Sequence, residues 1–283
     1  MTGGRPRAGT ARKVGAIVTG AAGSLLAKAV IKRREASLHS WERTSFSGAT
    51  VTLTEGIEAA AGVLASSLVV PSRARVGAAF AVGASAAAGY IDDQMEDRFP
   101  AKGKGLKGHL GALRRGQLTS GALKIGVIGL GAAVGAAALP HEGGHMRRIG
   151  QWTNQAALIA GTANLVNLLD LRPGRALKAS MMLAGPLAAG GNTIGGQLAC
   201  GVVGASAVAL PEDLAGVGML GDLGANCVGA ATGMALASLK SPLLRWGALG
   251  GVVGLTLASE KVSFSKVIEE NRLLAWIDSI GRA

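Results

Sequence analysis

Nine apolar runs rich in Gly and Ala recur along the chain, at about 14–31, 56–70, 74–91, 119–138, 152–169, 176–190, 193–210, 223–239 and 243–258. These runs lack the amphipathic periodicity of a soluble helix or a half-buried strand. They predict helices in lipid, although several fall short of the roughly 20 residues that a bilayer core requires. The expected fold is all-α: a polytopic membrane helical bundle of about nine to ten transmembrane helices, forming one integral membrane domain over 1–283. Residues 1–13 form a basic N-terminal tail in this reading. In 259–283, "VSFSKVIEENRLLAWIDSIGR" alternates apolar and charged residues at helical spacing. That predicts an amphipathic helix lying on the membrane interface or on the protein.

The polar connections fall alternately on two sides. One side holds 32–55, 92–118, 170–175, 211–222 and the chain from 259; the other holds 1–13, 71–73, 139–151, 191–192 and 240–242. Seventeen of the 29 Lys and Arg belong to the first side and ten to the second, with Lys28 and Lys124 inside spans. The excess assigns the first side to the cytoplasm, against the opposing pull of Arg5, Arg7, Arg12 and Lys13. A composition of 49% hydrophobic and 16% charged residues, with a mean hydropathy of +0.37, excludes an ordinary soluble domain. The net charge of +12 comes with only 3% aromatic residues. Without a basic stripe carrying stacking side chains, a nucleic-acid partner is not expected. Cys200 and Cys227 sit inside apolar runs and are small packing residues rather than a disulfide or metal site.

Three polar motifs interrupt the apolar background, all on the first side. "YIDDQMED" (90–97) places Asp92 and Asp93 at the end of the third run, where adjacent carboxylates call for a cation, a basic partner or a general base. "NLVNLLD" (164–170) spaces Asn164, Asn167 and Asp170 by three, so all three are expected on one inward-facing stripe of a helix. "MLGDLGAN" (219–226) sets Asp222 between glycines at the start of the eighth run. Carboxylates from three helix ends suit a hard cation, and Mg²⁺ commonly bridges such groups to phosphates. Basic residues on the same side, among them Lys104, Lys107, Arg172 and Arg175, are candidates to receive those phosphates. Lys124 lies about one turn inside a span, where lysine seldom persists without a partner.

D-D, N-x-x-N-x-x-D and G-D-x-G, in this order and on one side, resemble the polyprenyl-phosphate N-acetylhexosamine-1-phosphate transferases, the superfamily of phospho-N-acetylmuramoyl-pentapeptide transferase. "RTSFSGATVTLTEGI" (43–57) is similar to an early cytoplasmic loop of that family. The resemblance implies a transferase in the plasma membrane, multi-pass, with its active site facing the cytoplasm. It moves a sugar-1-phosphate from a UDP-type nucleotide sugar to a polyprenyl phosphate, releases nucleoside monophosphate and uses Mg²⁺. It implies catalytic roles for Asp92, Asp93 and Asp170, and substrate contacts from Asn164, Asn167, Lys124, Arg172, Arg175, Lys104 and Lys107. Asp222, Asp170 and Asp93 would face the metal. A homodimer is left open. Three departures stand out: "LRPG" follows Asp170 where relatives continue G-x-D-G, no His follows His145, and the runs number nine. They leave donor selectivity open and admit an inactive relative.

The alternative function is a small-solute transporter or channel using the same Asp and Asn groups. Two further motifs are set aside. "HEGGH" (141–145) matches a zinc-protease pattern, but Pro140 and two glycines oppose the helix that the pattern needs. "VTGAAGSLL" (18–26) lacks the third glycine and the later acidic residue of a dinucleotide-binding turn.

Overall fold

A computed structural model describes residues 5–34, 37–44, 48–71, 73–99, 108, 111–112 and 114–282. Among these residues are eleven α-helices and one two-stranded hairpin: α1 (Arg5–Lys32), β1 (Glu42–Thr44), β2 (Thr50–Thr52), α2 (Thr54–Ser67), α3 (Arg73–Met95), α4 (Ser120–Ala137), α5 (His145–Leu169), α6 (Arg175–Ala189), α7 (Ile194–Leu214), α8 (Gly221–Ala237), α9 (Pro242–Ser259), α10 (Phe264–Glu270) and α11 (Arg272–Ser279). The fold is all-α, as the apolar runs predict. Helix starts follow local chemistry. Thr119 Oγ1 accepts the Ala122 N–H at 3.1 Å and Thr193 Oγ1 the Gly196 N–H at 2.9 Å. Ser241 opens α9 just ahead of Pro242. Each such side chain satisfies an amide that a helix start leaves without a partner.

The core is built around α8. Every residue from Leu223 to Ala237 is buried, and its many Gly and Ala residues let α5, α3 and α2 approach closely. α1 packs on α2 and α7, and α3 on α4.

The nine to ten expected crossings are corrected to four. By length and composition, the helices among the described residues able to cross a membrane are Gly9–Lys32, Arg73–Arg98, Ser120–Ala137 and Ile194–Leu214. The reason is geometric and chemical. α2 has 14 residues, about 21 Å at 1.5 Å per residue, against a hydrocarbon core of about 30 Å. α6 and α8 are also short, with 15 and 17 residues. α5 is long enough but opens with His145, Arg147, Arg148 and Gln151. Four such helices make the chain a membrane protein in its coarse architecture. Most of the basic segment ahead of the first apolar run is helical, since α1 begins at Arg5. The C-terminal segment forms two short helices, with the Asn271 side chain accepting the Leu273 and Leu274 amides at 3.1 Å each.

The bundle has two distinct ends. At one, the C-termini of α3, α5 and α7 meet the N-termini of α2, α4 and α8. At the other, Lys13 Nζ donates to the Gly190 carbonyl at 2.7 Å, and Trp152 Nε1 donates to the Ala133 carbonyl at 3.0 Å. The first end gathers the three acidic motifs. The hairpin caps that end: β1 and β2 are antiparallel with Arg43 opposite Val51. The Thr52 amide donates to Val217 O at 3.2 Å, and the Met219 amide to Thr52 O at 2.9 Å. These bonds hold the segment leading into Asp222.

Candidate functional site

Lys124 and two aspartates form the centre of this end. Thr119 fixes the start of α4, and one turn later Lys124 points to the ends of α3 and α8. Its Nζ lies 3.1 Å from Asp92 Oδ2 and 2.9 Å from Asp222 Oδ1. All three side chains are mostly buried, so these are strong charge-assisted contacts in a region of reduced dielectric. An ammonium inside an apolar run therefore has the partners its position demands.

Asp93 does different work. Its carboxylate accepts the backbone amide of Asp222 at 3.1 Å through Oδ1, and that of Leu223 at 2.8 Å through Oδ2. It caps the N-terminus of α8 from a different helix, satisfying amides that α8 cannot pair itself. The geometry depends on two glycines. Gly221 enters α8 at φ +60°, a backbone conformation that favours glycine. A Cβ on Gly89 would collide with the Asp222 carbonyl, so only glycine lets α3 come this close. Arg43 of the hairpin donates to the Asp93 carbonyl, and Asn226 Nδ2 donates to the Asp222 carbonyl at 2.6 Å.

Asp170 ends α5 next to this cluster and is buried. Burial first, and then the charges of Asp213 and Asp222, push its carboxyl well above the ordinary carboxylate range. Beyond it lie Asp213, which is fully buried, and Glu55, which is 2% exposed. Neither Glu55 oxygen has a hydrogen-bond partner among the described residues. Glu58 and Glu212 follow, with Lys28 Nζ 2.7 Å from Glu212 Oε1 and 4.0 Å from Glu58 Oε2. A line of carboxylates thus runs through this end, with Lys124 at one extremity and Lys28 at the other. In a chain of net charge +12, the acidic residues are concentrated where the helix ends converge. The sequence reading missed Glu55, Glu58, Asp213 and Arg43. The first two carried a readable signal, because E-G-I-E opens an apolar run in which charge is costly.

The other predicted residues separate. Asn164 is exposed, Asn167 intermediate and Asp170 buried, so the expected inward stripe is corrected. Three residues advance a helix by about 300°. Each step drifts about 60°, and the set turns about 120° from surface to core. Arg172 and Arg175 stand apart from Asp92, Lys124 and Asp222. Arg172 pairs with Glu269. Arg175 holds both oxygens of Asp278 at 2.9 Å and Ser265 Oγ at 3.0 Å. Both arginines bind the C-terminal helices. Lys104 and Lys107 lie outside the described residues.

The carboxylate donors suit Mg²⁺ chemically, but among the described residues no three His, Cys, Asp or Glu side chains converge closely enough to hold a metal ion. Lys124 takes the place between Asp92 and Asp222 that a cation would fill. Two cavities among the described residues bear on the site. One of about 330 Å³ lies at the acidic end, lined by Lys28, Lys32, Glu42, Thr52, Glu58 and Glu212 among others. The larger, about 420 Å³, is at the opposite end beside His141, His145, Arg148 and Trp152, remote from the acidic cluster. There α5 begins only at His145, after Gly143 at φ +87°. The two histidines of "HEGGH" therefore do not share a helix face. No protein-family model matches the chain, and no curated protein matches it.

Proposed function

We propose that the chain is a membrane transferase that moves a sugar-1-phosphate from a nucleotide sugar, of the UDP type, to a polyprenyl phosphate. The observation that carries the proposal is the Lys124 ammonium held between Asp92 and Asp222 at a junction of three helix ends, one of them capped by Asp93. In the reaction, an oxygen of the lipid phosphate attacks the sugar-bearing phosphorus. The bond from that phosphorus to the bridging oxygen breaks, and nucleoside monophosphate leaves with the bridging oxygen. Both partners are anionic, so the barrier is largely electrostatic. Lys124 is the positive charge built into the site, and Asp92 and Asp222 hold it in position until phosphate replaces them. Asp170, whose environment favours the protonated form, is the candidate to exchange a proton with the acceptor phosphate. Magnesium enters as the ion that accompanies the nucleotide diphosphate in solution. The site is proposed to face the cytoplasm at the plasma membrane, where nucleotide sugars are found.

The test is direct. Purified protein is incubated with undecaprenyl phosphate, Mg²⁺ and a panel of UDP- and other nucleotide sugars, and nucleoside monophosphate release is followed. Failure with every donor would sink the proposal. If turnover is found, Asp222→Asn and Lys124→Ala are expected to lower it by about 10²-fold or more. Glu142→Gln, at the opposite end, should leave it unchanged.

One observation favours a second reading. Buried acidic groups that no hydrogen bond satisfies among the described residues, such as Glu55, are also what a transporter uses to bind and release a cation or proton. In reconstituted vesicles, cation-driven solute flux that Glu55→Gln abolishes, with no nucleotide release, would favour this transporter.

A further inference from the structure

The two C-terminal helices present two opposite chemistries. Toward the protein, Arg175 grips Asp278 with two bonds of 2.9 Å. Lys178 Nζ donates to the carbonyls of Ile277, Asp278 and Ile280. Arg282 pairs with Asp278 and donates to the Pro173 carbonyl at 2.9 Å, and Arg172 pairs with Glu269. All of these protein-side partners lie in 172–178, immediately after Asp170. Away from the protein, Leu273 and Trp276 are each 63% exposed and Ile280 48%. At 100° per residue these three fall within about 60° of one another, on the side opposite Asp278.

We propose that this segment is an interfacial strap: Leu273, Trp276 and Ile280 seat in the headgroup–acyl boundary of the bilayer, while the Asp278 edge fastens the segment to the loop that follows Asp170. The proposal rests on the membrane architecture and is independent of the transferase reading.

Lipid is the occupant that the surroundings select. The segment continues directly from α9, whose Leu255 and Leu257 are 50% and 62% exposed, so the outward stripe extends an apolar surface already present. The charges also fit. Glu269 and Asp278 are taken up by protein arginines, and Glu270 lies 3.9 Å from Lys266. Lys261, Lys266 and Arg272 remain exposed, where they meet anionic headgroups. Tryptophan in such a stripe suits the boundary, with its ring in the apolar layer and its N–H at the wet edge. The loop bearing Asp170 is thereby tied to the membrane surface through Arg175 rather than left as a free connection.

The full chain is reconstituted in vesicles of phosphatidylcholine with a quarter phosphatidylglycerol. Cysteine replaces Leu273, Trp276 or Glu270 one at a time and is labelled with an environment-sensitive fluorophore; the native Cys200 and Cys227 are buried. The labels at 273 and 276 are expected to emit at shorter wavelength than the label at 270. A nitroxide near the lipid headgroup should quench them at least threefold more strongly. If a water-soluble quencher reaches all three positions equally, the proposal is overturned. Labels at 273 and 276 shielded from both quenchers would overturn it too, since a protein partner would then cover the stripe.

Discussion

At the residue scale, the adjacent Asp92 and Asp93 have different tasks. Asp92 holds a lysine, whereas Asp93 holds two backbone amides at the start of α8. Asp93→Ala removes both acceptors and should cost about 2 kcal/mol, as expected for losing a charge-assisted cap. Hydrogen exchange at the Asp222 and Leu223 amides should accelerate in Asp93→Ala and stay slow in Asp92→Asn. Equal protection in both variants would show that the cap is idle. Asp170 gives a pH signature. Its folded carboxyl is raised above the unfolded value of about 3.9. Its stabilising contribution is thus complete below that value and is lost as pH rises through the folded value. Asp170→Asn should flatten this decline and raise the unfolding temperature at neutral pH by about 2–4 °C, while abolishing any transferase activity. Thermal unfolding across a pH series measures the first effect, and a variant that melts lower at neutral pH would refute the assignment.

At the element scale, the pairing of 172–178 with the C-terminal helices is the contact most exposed to test. The Arg175 and Asp278 side chains are 5% and 11% exposed. Burial alone would raise the Asp278 carboxyl, but Arg175 and Arg282 overcome it and hold it below the ordinary range. Arg175→Ala leaves the mostly buried Asp278 carboxylate with Arg282 as its remaining arginine and should cost about 2 kcal/mol. It should also speed proteolysis between 264 and 282, whereas Lys266→Ala, on the exposed side, should not. These same elements show what a sequence pattern can carry. The run at 119–138 became Ser120–Ala137 and the run at 223–239 became Gly221–Ala237, because apolarity and helix-start residues are local properties. Asp92, Lys124 and Asp222 were each conspicuous as charges beside or inside apolar runs. Their meeting was not, since it depends on Gly89 and Gly221 letting α3 and α8 approach. The sequence offers Arg172 and Arg175 as phosphate ligands because their partners, Glu269 and Asp278, lie about a hundred residues away. Nothing local links two such distant stretches. Asn164 falls outside the expected stripe for a simpler reason, the drift of a three-residue repeat around a helix.

At the scale of the whole molecule, charge and geometry agree on one polarity. The end that gathers Asp92, Asp170, Asp213 and Asp222 also holds the C-terminal helices, tied there by Arg175, Lys178 and Arg282. The loops assigned to that end carry most of the Lys and Arg. In the proposed orientation the excess of basic residues sets this end toward the cytoplasm, and the contacts require the acidic site and the C-terminal segment to share one face. The same orientation predicts that the opposite end, with Glu142 and the cavity beside His141 and Trp152, lies outside. Cysteine accessibility resolves this prediction, because Cys200 and Cys227 are buried and remain silent. In the full chain expressed in a bacterial inner membrane, Glu96→Cys and Glu270→Cys should react with a membrane-impermeant maleimide only in inverted vesicles. Glu142→Cys should react only in right-side-out cells. Labelling of 96 and 270 from opposite faces would break the bundle geometry itself. Labelling of both from outside would keep the geometry and reverse its orientation, leaving nucleotide sugars on the wrong side of the membrane for the proposed transfer. Because the two failures differ, the same three variants separate an error in the fold from an error in its placement.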